Sequence, residues 1–273
     1  AGRGVYSLGR VQTPTLSMIC SRYLENKNFK SAKYWQIQTM VQKDSSLFTI
    51  LSKDRYDDKP TADEQLKLIN NENHILVQSV ICKEVVQEPP LLYDLTTLQK
   101  EANQKHGFSA DKTLSIAQKL YESKFITYPR TGSRYLSEDV FETIPQLLET
   151  LYKHEQFGDY AKSLTRLNKH SVDDKNVTDH HALLITEVNA KGLSSEENTI
   201  YNMIAGRMLE AFSDKCIKDS TTATLVCVNK EYLAKGAIVK QVGWRAVYNN
   251  IEEGEDNSAL PLIEEGDVLA LTN

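Results

Sequence analysis

The sequence predicts an α+β protein in which a mostly helical domain is inserted into a β-rich one. Strand-like patterns before residue 89 and after residue 218 enclose a stretch with helical periodicity. The 273 residues leave room for two domains, and the 40% hydrophobic and 25% charged content is ordinary for a globular chain. We therefore expect an N-terminal helical segment at 1–30, a β-rich domain at 31–89 plus 218–273, and a helical domain at 90–217.

A helix is predicted near the N-terminus. Thr13 can cap it, and Pro14 suits the first helical position. Apolar side chains then recur at helical spacing, at Leu16, Ile19, Cys20, Tyr23 and Leu24. The preceding "SLGRVQ" places a glycine and Arg10 before free backbone amides, which favours an anion site. An ordinary helix entry is the alternative.

The β-rich part is predicted from alternating polar and apolar side chains. Candidate strands run over 34–41, 46–51, 75–86, 221–228, 237–242, 244–248 and 268–271. Between the second and the third of these, Thr61 and Glu64 have the spacing of a helix capping box. The sequence "EPP" at 88–90 ends the third run and sets the domain boundary.

The inserted domain opens with two helices joined by a tight turn. The pattern predicts a helix over 95–105 that ends at Gly107, and a second helix that is capped by Ser109. A short strand at 125–128 follows, as in a winged helix-turn-helix. Two packed helices without a ligand are the alternative. Further helices are expected at 139–153 and 196–212.

Charge is unevenly distributed along the chain. The net charge is −5, yet residues 1–30 hold five basic side chains against one acidic one, and residues 93–134 hold seven against four. Residues 250–267 hold seven acidic side chains and no basic one. A basic patch on an acidic body can meet phosphates locally, although scattered solvated charge gives the same counts.

Cysteine spacing and hydropathy disfavour several classes of protein. The four cysteines lie far apart without a CxxC pair, which argues against zinc ribbons and disulfide scaffolds. The sequence has no apolar run of about 18 residues and opens with no signal-peptide pattern. We expect a protein of the reducing cytoplasm with no membrane partner.

The stretch "KFITYPRTGSRYL", residues 124–136, contains the first candidate catalytic group, Tyr128. A tyrosine hydroxyl keeps its proton at neutral pH, so its attack on phosphorus needs a proton acceptor and a cation that stabilises charge. On an extended strand Arg130 would share a face with Tyr128, and Pro129 would stiffen the backbone between them. A half-buried strand tyrosine beside a surface arginine is the alternative.

A second candidate group lies in "VTDHHALLIT", residues 177–186, where His180 and His181 precede a short apolar run. A histidine there can donate a hydrogen bond to a phosphate oxygen or carry a proton. The DHH triplet also suggests a metal phosphoesterase, but no Asp-x-Asp follows an apolar run. Adjacent histidines disfavour a rolling-circle relaxase, and the sequence lacks GxSxG, GxxxxGK[ST] and HExxH motifs.

Several stretches together resemble the type IA DNA topoisomerases. They are "SLGRVQTPTL", "YDLTTLQKEANQKHGFSADKTLSIAQKLYESKFITYPRTGSRYL" and "TDHHALLIT". With "GWRAVY" at 243–248, these motifs follow the family's order and cover nearly the whole chain. The wording of "SLGRVQTPTL" and "DHHA" is most similar to the topoisomerase III branch.

The resemblance implies a mechanism. Tyr128 matches the nucleophile that attacks single-stranded DNA and keeps the 5′ phosphate as a phosphotyrosine, so that resealing of the strand needs no ATP. Arg130 matches the arginine that holds the scissile phosphate. His180 matches the histidine that supports the same phosphate network.

The resemblance also implies DNA contacts and domain identities. The positions assigned to DNA binding are Arg10, Gln12, Gln118 and Arg134. The β-rich domain corresponds to the family's arch, residues 90–217 to its nucleophile domain, and residues 1–30 to part of its base domain.

The sequence departs from the family's pattern in two respects. Gly132 stands where an acidic residue often follows "YPRT". The Toprim domain, which supplies the ligands of the Mg²⁺ ion, would precede "SLGRVQTPTL". We therefore expect a fragment without its Toprim and base domains, with no metal ligands of its own and no relaxation activity when alone.

Two other hypotheses stay open. The chain could be a non-catalytic single-strand DNA-binding module that uses the helix-turn-helix and the basic patch. Such a binder would keep its function after Tyr128→Phe. A DHH-type metal phosphoesterase would instead bind Mn²⁺ stoichiometrically.

Overall fold

The computed structural model describes residues 9–249 and 259–272. Part of the acidic run at 250–267 lies outside the described residues. Residues 1–8 of the predicted N-terminal segment, which include the first two residues of "SLGRVQ", and residue 273 of the predicted β-rich domain also lie outside them. The chain divides into two compact units. The first comprises 1–76, 225–233 and 268–273, and the second comprises 77–224 and 234–267. No helix among the described residues is both long enough and apolar enough to cross a membrane.

The strands of the described residues belong to one closed barrel. They are β1 (Gln38–Lys43), β2 (Ser46–Ser52), β3 (His74–Gln87), β4 (Cys216–Cys227), β5 (Lys230–Gln241) and β6 (Val268–Thr272). Their hydrogen-bonded order is β1-β2-β5-β4-β3-β6. The predicted strand at 34–41 is real but begins at Gln38, and those at 46–51, 75–86 and 268–271 lie within two residues of the observed bounds.

The first unit holds the antiparallel pairs that close the barrel. Strand β1 pairs with β2 from Gln38↔Leu51 to Lys43↔Ser46, and with β6 at Met40↔Thr272. Alternate side chains of these strands face inward, and the buried residues of this unit include Val41, Ile50, Ile75, Tyr232 and Leu269.

Two helices of the first unit start differently from the prediction. Helix α1 (Gln12–Asn28) begins before Thr13, with Val11 at the N-cap and no side-chain cap. Its apolar face is exposed, since none of its residues is buried. Helix α2 (Lys59–Asn70) is capped by Asp58, whose carboxylate accepts from the backbone N–H of Thr61, so the predicted capping box is wrong.

The second unit contains the remaining described α-helices. They are α3 (Leu95–His106), α4 (Ala110–Glu122), α5 (Glu138–Phe141), α6 (Ile144–Glu149), α7 (Gly158–Ser163) and α8 (Ser195–Phe212). The turn between α3 and α4 is as predicted, because Gly107 takes the left-handed conformation and the Ser109 hydroxyl accepts from the N–H of Lys112. The described chain is thus a mixture of helices and strands.

Helix α8 lies at the centre of the second unit's core. Twelve of its residues, from Ile200 to Phe212, are buried, and it packs with α3, α4 and the short helix at 243–248. That last segment was expected to be a strand. It forms a 3₁₀-helix instead, in which Val247 is buried and the indole of Trp244 donates to the carbonyl of Gln87. The helix expected at 139–153 is broken into α5 and α6.

Candidate active site

Tyr128 lies in the segment 124–136, which we call the tyrosine segment. The predicted strand at 125–128 is wrong, because only Ile126 makes a β-bridge, to Ile185. The backbone N–H of Thr127 donates to the carbonyl of Leu184 (2.9 Å), and the N–H of Leu184 donates to Oγ1 of Thr127 (3.0 Å). These bonds place the tyrosine segment beside residues 177–186, which we call the histidine segment.

The phenol ring of Tyr128 contacts two other aromatic rings. Its centroid lies 4.8 Å from that of His180, with the rings tilted by 57°, and 5.4 Å from that of Tyr121, edge-on at 72°. Tyr128 is half-buried, whereas His180 and Tyr121 are exposed. The structure therefore brings the predicted phenol and imidazole together, at a surface that a polyanion can reach.

Arg130 is exposed and follows the buried Pro129. The prediction that Tyr128 and Arg130 share the face of a strand is wrong, because the backbone here is not a strand. The guanidinium of Arg130, two residues from Tyr128, is nevertheless exposed to solvent and does not pack in the core.

Two buried hydroxyls tie the tyrosine segment to the histidine segment. Thr131 Oγ1 donates to the carbonyl of His180 (3.0 Å), and Ser133 Oγ donates to the carbonyl of Asn176 (2.9 Å). Sequence reasoning did not single out either residue. The available signal was their type, since serine and threonine in loops commonly bond to backbone groups.

The second unit's two predicted DNA-binding residues have contacts within the protein. The guanidinium of Arg134 donates from Nε to the carbonyl of Leu92 (3.1 Å) and from Nη2 to that of Leu91 (3.3 Å), and the residue is half-buried. Gln118 is half-buried on α4, where its amide donates to Glu122 (3.0 Å). These contacts hold both side chains in place along the elements that flank Tyr128.

The other two predicted DNA-binding residues lie in the first unit. Arg10 and Gln12 are both exposed, at the start of α1. The N–H of Gly9 donates to Oγ1 of Thr13 (3.2 Å), so one amide of the proposed anion site already has a partner within the helix entry.

His181 faces a different environment from His180. Its Nδ1 lies 2.7 Å from the carbonyl of Ala182, which assigns the proton to Nδ1 in the neutral ring. It lines an open groove of about 500 Å³ whose floor includes Leu147 and Leu184. Asp139 also lines this groove, and bonds from Ser137 and from the N–H of Val140 lower the pKa of its carboxyl, with a smaller contribution from His181.

A buried ionic network links α3 and α8. Arg207, 7% exposed, donates to Glu101 (2.6 Å), to Glu210 (3.0 Å) and to the hydroxyl of Tyr93 (3.2 Å). It also donates to the carbonyl of Leu91 (3.2 Å), the group that accepts from Arg134. Sequence reasoning missed this network, although a charged residue inside the apolar run of α8 was a visible signal.

The network shifts the pKa values of its members in different directions. Burial raises the pKa of Glu210, and Arg207 only partly opposes this effect. Burial also acts to raise the pKa of Glu101, but Arg207 and the Tyr93 hydroxyl outweigh it, so the pKa of Glu101 is lowered. Burial raises the pKa of Tyr93, whose hydroxyl donates to Glu101 (2.7 Å).

The residues that the structure describes bring together no group of three or more His, Cys, Asp or Glu side chains that could hold a metal ion. The carboxylates nearest in sequence to Tyr128, those of Glu122 and Glu138, instead bond to Gln118 and to Lys169.

Comparisons with known proteins place this geometry in context. A family model described as DNA topoisomerase matches residues 1–273. The DNA topoisomerase 3 of Bacillus cereus (strain ATCC 14579) is 38% identical over 277 residues, which cover 96% of this chain and 38% of that protein. The DNA topoisomerase 3 of Bacillus subtilis (strain 168) is 34% identical over 286 residues, with 97% and 38% covered. The chain thus spans about 38% of the length of these curated relatives.

A solved structure is similar over almost the same range. The full-length topoisomerase I of Thermotoga maritima superimposes with a TM-score of 0.70 at 25% sequence identity. The match covers 99% of this chain and 45% of that one.

Proposed function

Because the chain belongs to the DNA topoisomerase family, we propose that it supplies the strand-cleaving tyrosine of a type IA enzyme of the topoisomerase III kind. The observation that carries the proposal is the contact between the half-buried phenol of Tyr128 and the exposed imidazole of His180. The two rings lie 4.8 Å apart although 52 residues separate them, so folding alone creates the pair.

The proposed reaction is a reversible transesterification on single-stranded DNA. The oxygen of Tyr128 bonds to phosphorus while the bond from phosphorus to the 3′ oxygen of the upstream strand breaks. The phenol loses its proton, and the released 3′ oxygen takes one up. The reverse reaction reseals the strand, and because the phosphotyrosine conserves the bond energy, no ATP is needed.

Arg130 and His180 are proposed to hold the scissile phosphate. Negative charge develops on its oxygens as the phenol attacks, and positioned donors at that point lower the barrier. The exposed guanidinium of Arg130 can approach a phosphate from solvent without breaking a contact in the core. The imidazole of His180, already beside the phenol, can donate to a phosphate oxygen or carry the proton.

Single-stranded DNA is proposed to bind at Tyr128. Its proposed contacts are Arg10, Gln12, Gln118 and Arg134. Within this assignment residues 90–217 form the nucleophile domain, residues 31–89 and 218–273 form the arch, and residues 1–30 belong to the base domain. We expect binding that is weak, tolerant of sequence and sensitive to salt, because most contacts are to phosphates.

The family implies a metal requirement, and we propose Mg²⁺. The described residues bring together no group of three or more His, Cys, Asp or Glu side chains that would fit this ion. We propose that its ligands come from a Toprim domain.

A labelled-adduct assay tests the proposed nucleophile. The chain is placed in the Bacillus cereus topoisomerase 3 instead of the matching 38% of that protein, and the chimera is incubated with Mg²⁺ and an oligonucleotide. A 3′-labelled oligonucleotide should transfer label to the protein, whereas a 5′-labelled one should not. Tyr128→Phe should abolish the adduct and leave DNA binding in place.

Tyr121→Phe is the matched control, since this tyrosine is exposed and contacts the ring of Tyr128. It should keep the adduct. An adduct that survives Tyr128→Phe contradicts the assignment. If DNA binding is the only activity of the wild-type chimera, the non-catalytic binding module becomes the better account.

A further inference from the structure

We propose that the hydroxyls of Thr131 and Ser133 are positioning groups, which hold the loop that carries His180 in register with Tyr128. The inference rests on the proposed function of that pair. Neither hydroxyl is a catalytic group in this account, because both residues are buried, with 5% and 3% exposure, and their bonds are to backbone carbonyls.

Thr131 connects three parts of the second unit. Its side-chain oxygen donates to the carbonyl of His180 at 3.0 Å, so the bond fixes the backbone of the residue that bears the imidazole. Its own carbonyl accepts from the N–H of Leu95 at 3.1 Å, at the first turn of α3. One buried threonine therefore connects the loop of His180 to helix α3.

Ser133 fixes the other end of the same loop. Its hydroxyl lies 2.9 Å from the carbonyl of Asn176 and 3.4 Å from that of Tyr135. Since the hydroxyl has one proton, the shorter contact is the better bond. The N–H of Ser133 in turn donates to Oγ1 of Thr131 (3.2 Å), which links the two hydroxyls into one chain.

These bonds hold a part of the chain that has no regular secondary structure. Residues 177–181 belong to no helix or strand, and the 3₁₀-turn before them ends at Asn176. Beyond His180, the backbone N–H of Ala182 donates to the carbonyl of Tyr135 (3.0 Å), and the β-bridge Tyr93↔Leu183 follows. Between Asn176 and Ala182, the bonds from the hydroxyls of Thr131 and Ser133 are the ones that tie this loop to the tyrosine segment.

The direct test compares Thr131→Val, which keeps the shape and removes the hydroxyl, with Thr131→Ser, which keeps the hydroxyl. In the 273-residue chain, the nuclear Overhauser effect between the rings of Tyr128 and His180 reports their separation. We expect Thr131→Val to reduce the cross-peak at least twofold, and Thr131→Ser to keep it. A cross-peak of wild-type intensity in Thr131→Val overturns the proposal.

Ser133→Ala provides a second variant if Thr131→Val does not fold. It removes the bond to Asn176, together with the bond that Ser133 Oγ accepts from the N–H of Tyr135 (3.1 Å), and should weaken the same cross-peak. An unchanged cross-peak contradicts the account. In the chimera, Thr131→Val should lower the cleavage rate about tenfold to 100-fold with an unchanged KM for the oligonucleotide, and Thr131→Ser should restore it.

The two proposals fail in different ways. If Tyr128→Phe still cleaves DNA, the proposed function is wrong, while the ring-to-ring measurement still decides whether the hydroxyls position His180. If Thr131→Val loses the cross-peak but cleaves at the wild-type rate, the hydroxyls do position His180, and the role proposed for His180 in the reaction is wrong.

Discussion

Arg207→Met should strongly destabilise the second unit. The guanidinium donates to two carboxylates, one hydroxyl and one carbonyl, and it is 7% exposed, so solvent cannot replace it. Its removal leaves Glu101 and Glu210 largely buried without their main cation. Breaking a buried pair in this way costs about 3–5 kcal/mol, a large part of the roughly 5–15 kcal/mol that stabilises a typical domain.

Urea unfolding followed by tryptophan fluorescence measures this loss. In a Trp35→Phe background, Trp244 is the remaining tryptophan and reports on the second unit. Arg166→Met, at an exposed arginine of the same unit, should change the free energy of unfolding by no more than about 0.5 kcal/mol. Adding Glu210→Leu to Arg207→Met should recover part of the stability, because one unpaired carboxylate is then removed. A loss below about 1 kcal/mol for Arg207→Met would refute the reasoning.

Three further predictions concern local geometry. Gly206→Ala should destabilise by about 1–3 kcal/mol, because its Cβ would overlap the Tyr248 hydroxyl. Gly132→Ala should be neutral or stabilise by up to about 1 kcal/mol, because its Cβ would meet no atom within 4 Å. Urea unfolding measures the change in stability of both glycine variants, and changes of the opposite sign would contradict the packing. Bonds from Ser194 lower the pKa of Glu197, so α8 loses this support as pH falls through that lowered value, and Glu197→Gln should lose less stability than wild type on acidification.

Helix ends and turns with local signals could be predicted from the sequence. Gly107 and Ser109 predicted the turn between α3 and α4, because both act on backbone groups within a few residues. The segment 244–248 was wrongly predicted to be a strand, because its pattern of side chains resembles that of a strand. Its 3₁₀ form depends instead on packing against α8 and on a bond to Gln87, 157 residues away.

The candidate site was predictable only in part. The pairing of Tyr128 with His180 followed from the family resemblance, and no spacing rule connects residues 52 positions apart. The partners of Thr131 and Arg207 could not be predicted either, because their bonds span 49 and 106 residues. The periodicity correctly predicted helix α1 and its apolar face. Periodicity does not tell whether another element covers such a face, and in the structure this face is exposed.

The most direct test of Tyr128 as the nucleophile is to map the covalent adduct by mass spectrometry. After cleavage by the chimera and removal of excess DNA by nuclease, trypsin separates residues 120–124, with Tyr121, from residues 125–130, whose only tyrosine is Tyr128. We predict a nucleotide attached through a phosphate to Tyr128 in the peptide 125–130. An adduct on any other peptide, or no adduct from a folded chimera that binds DNA, would contradict the account.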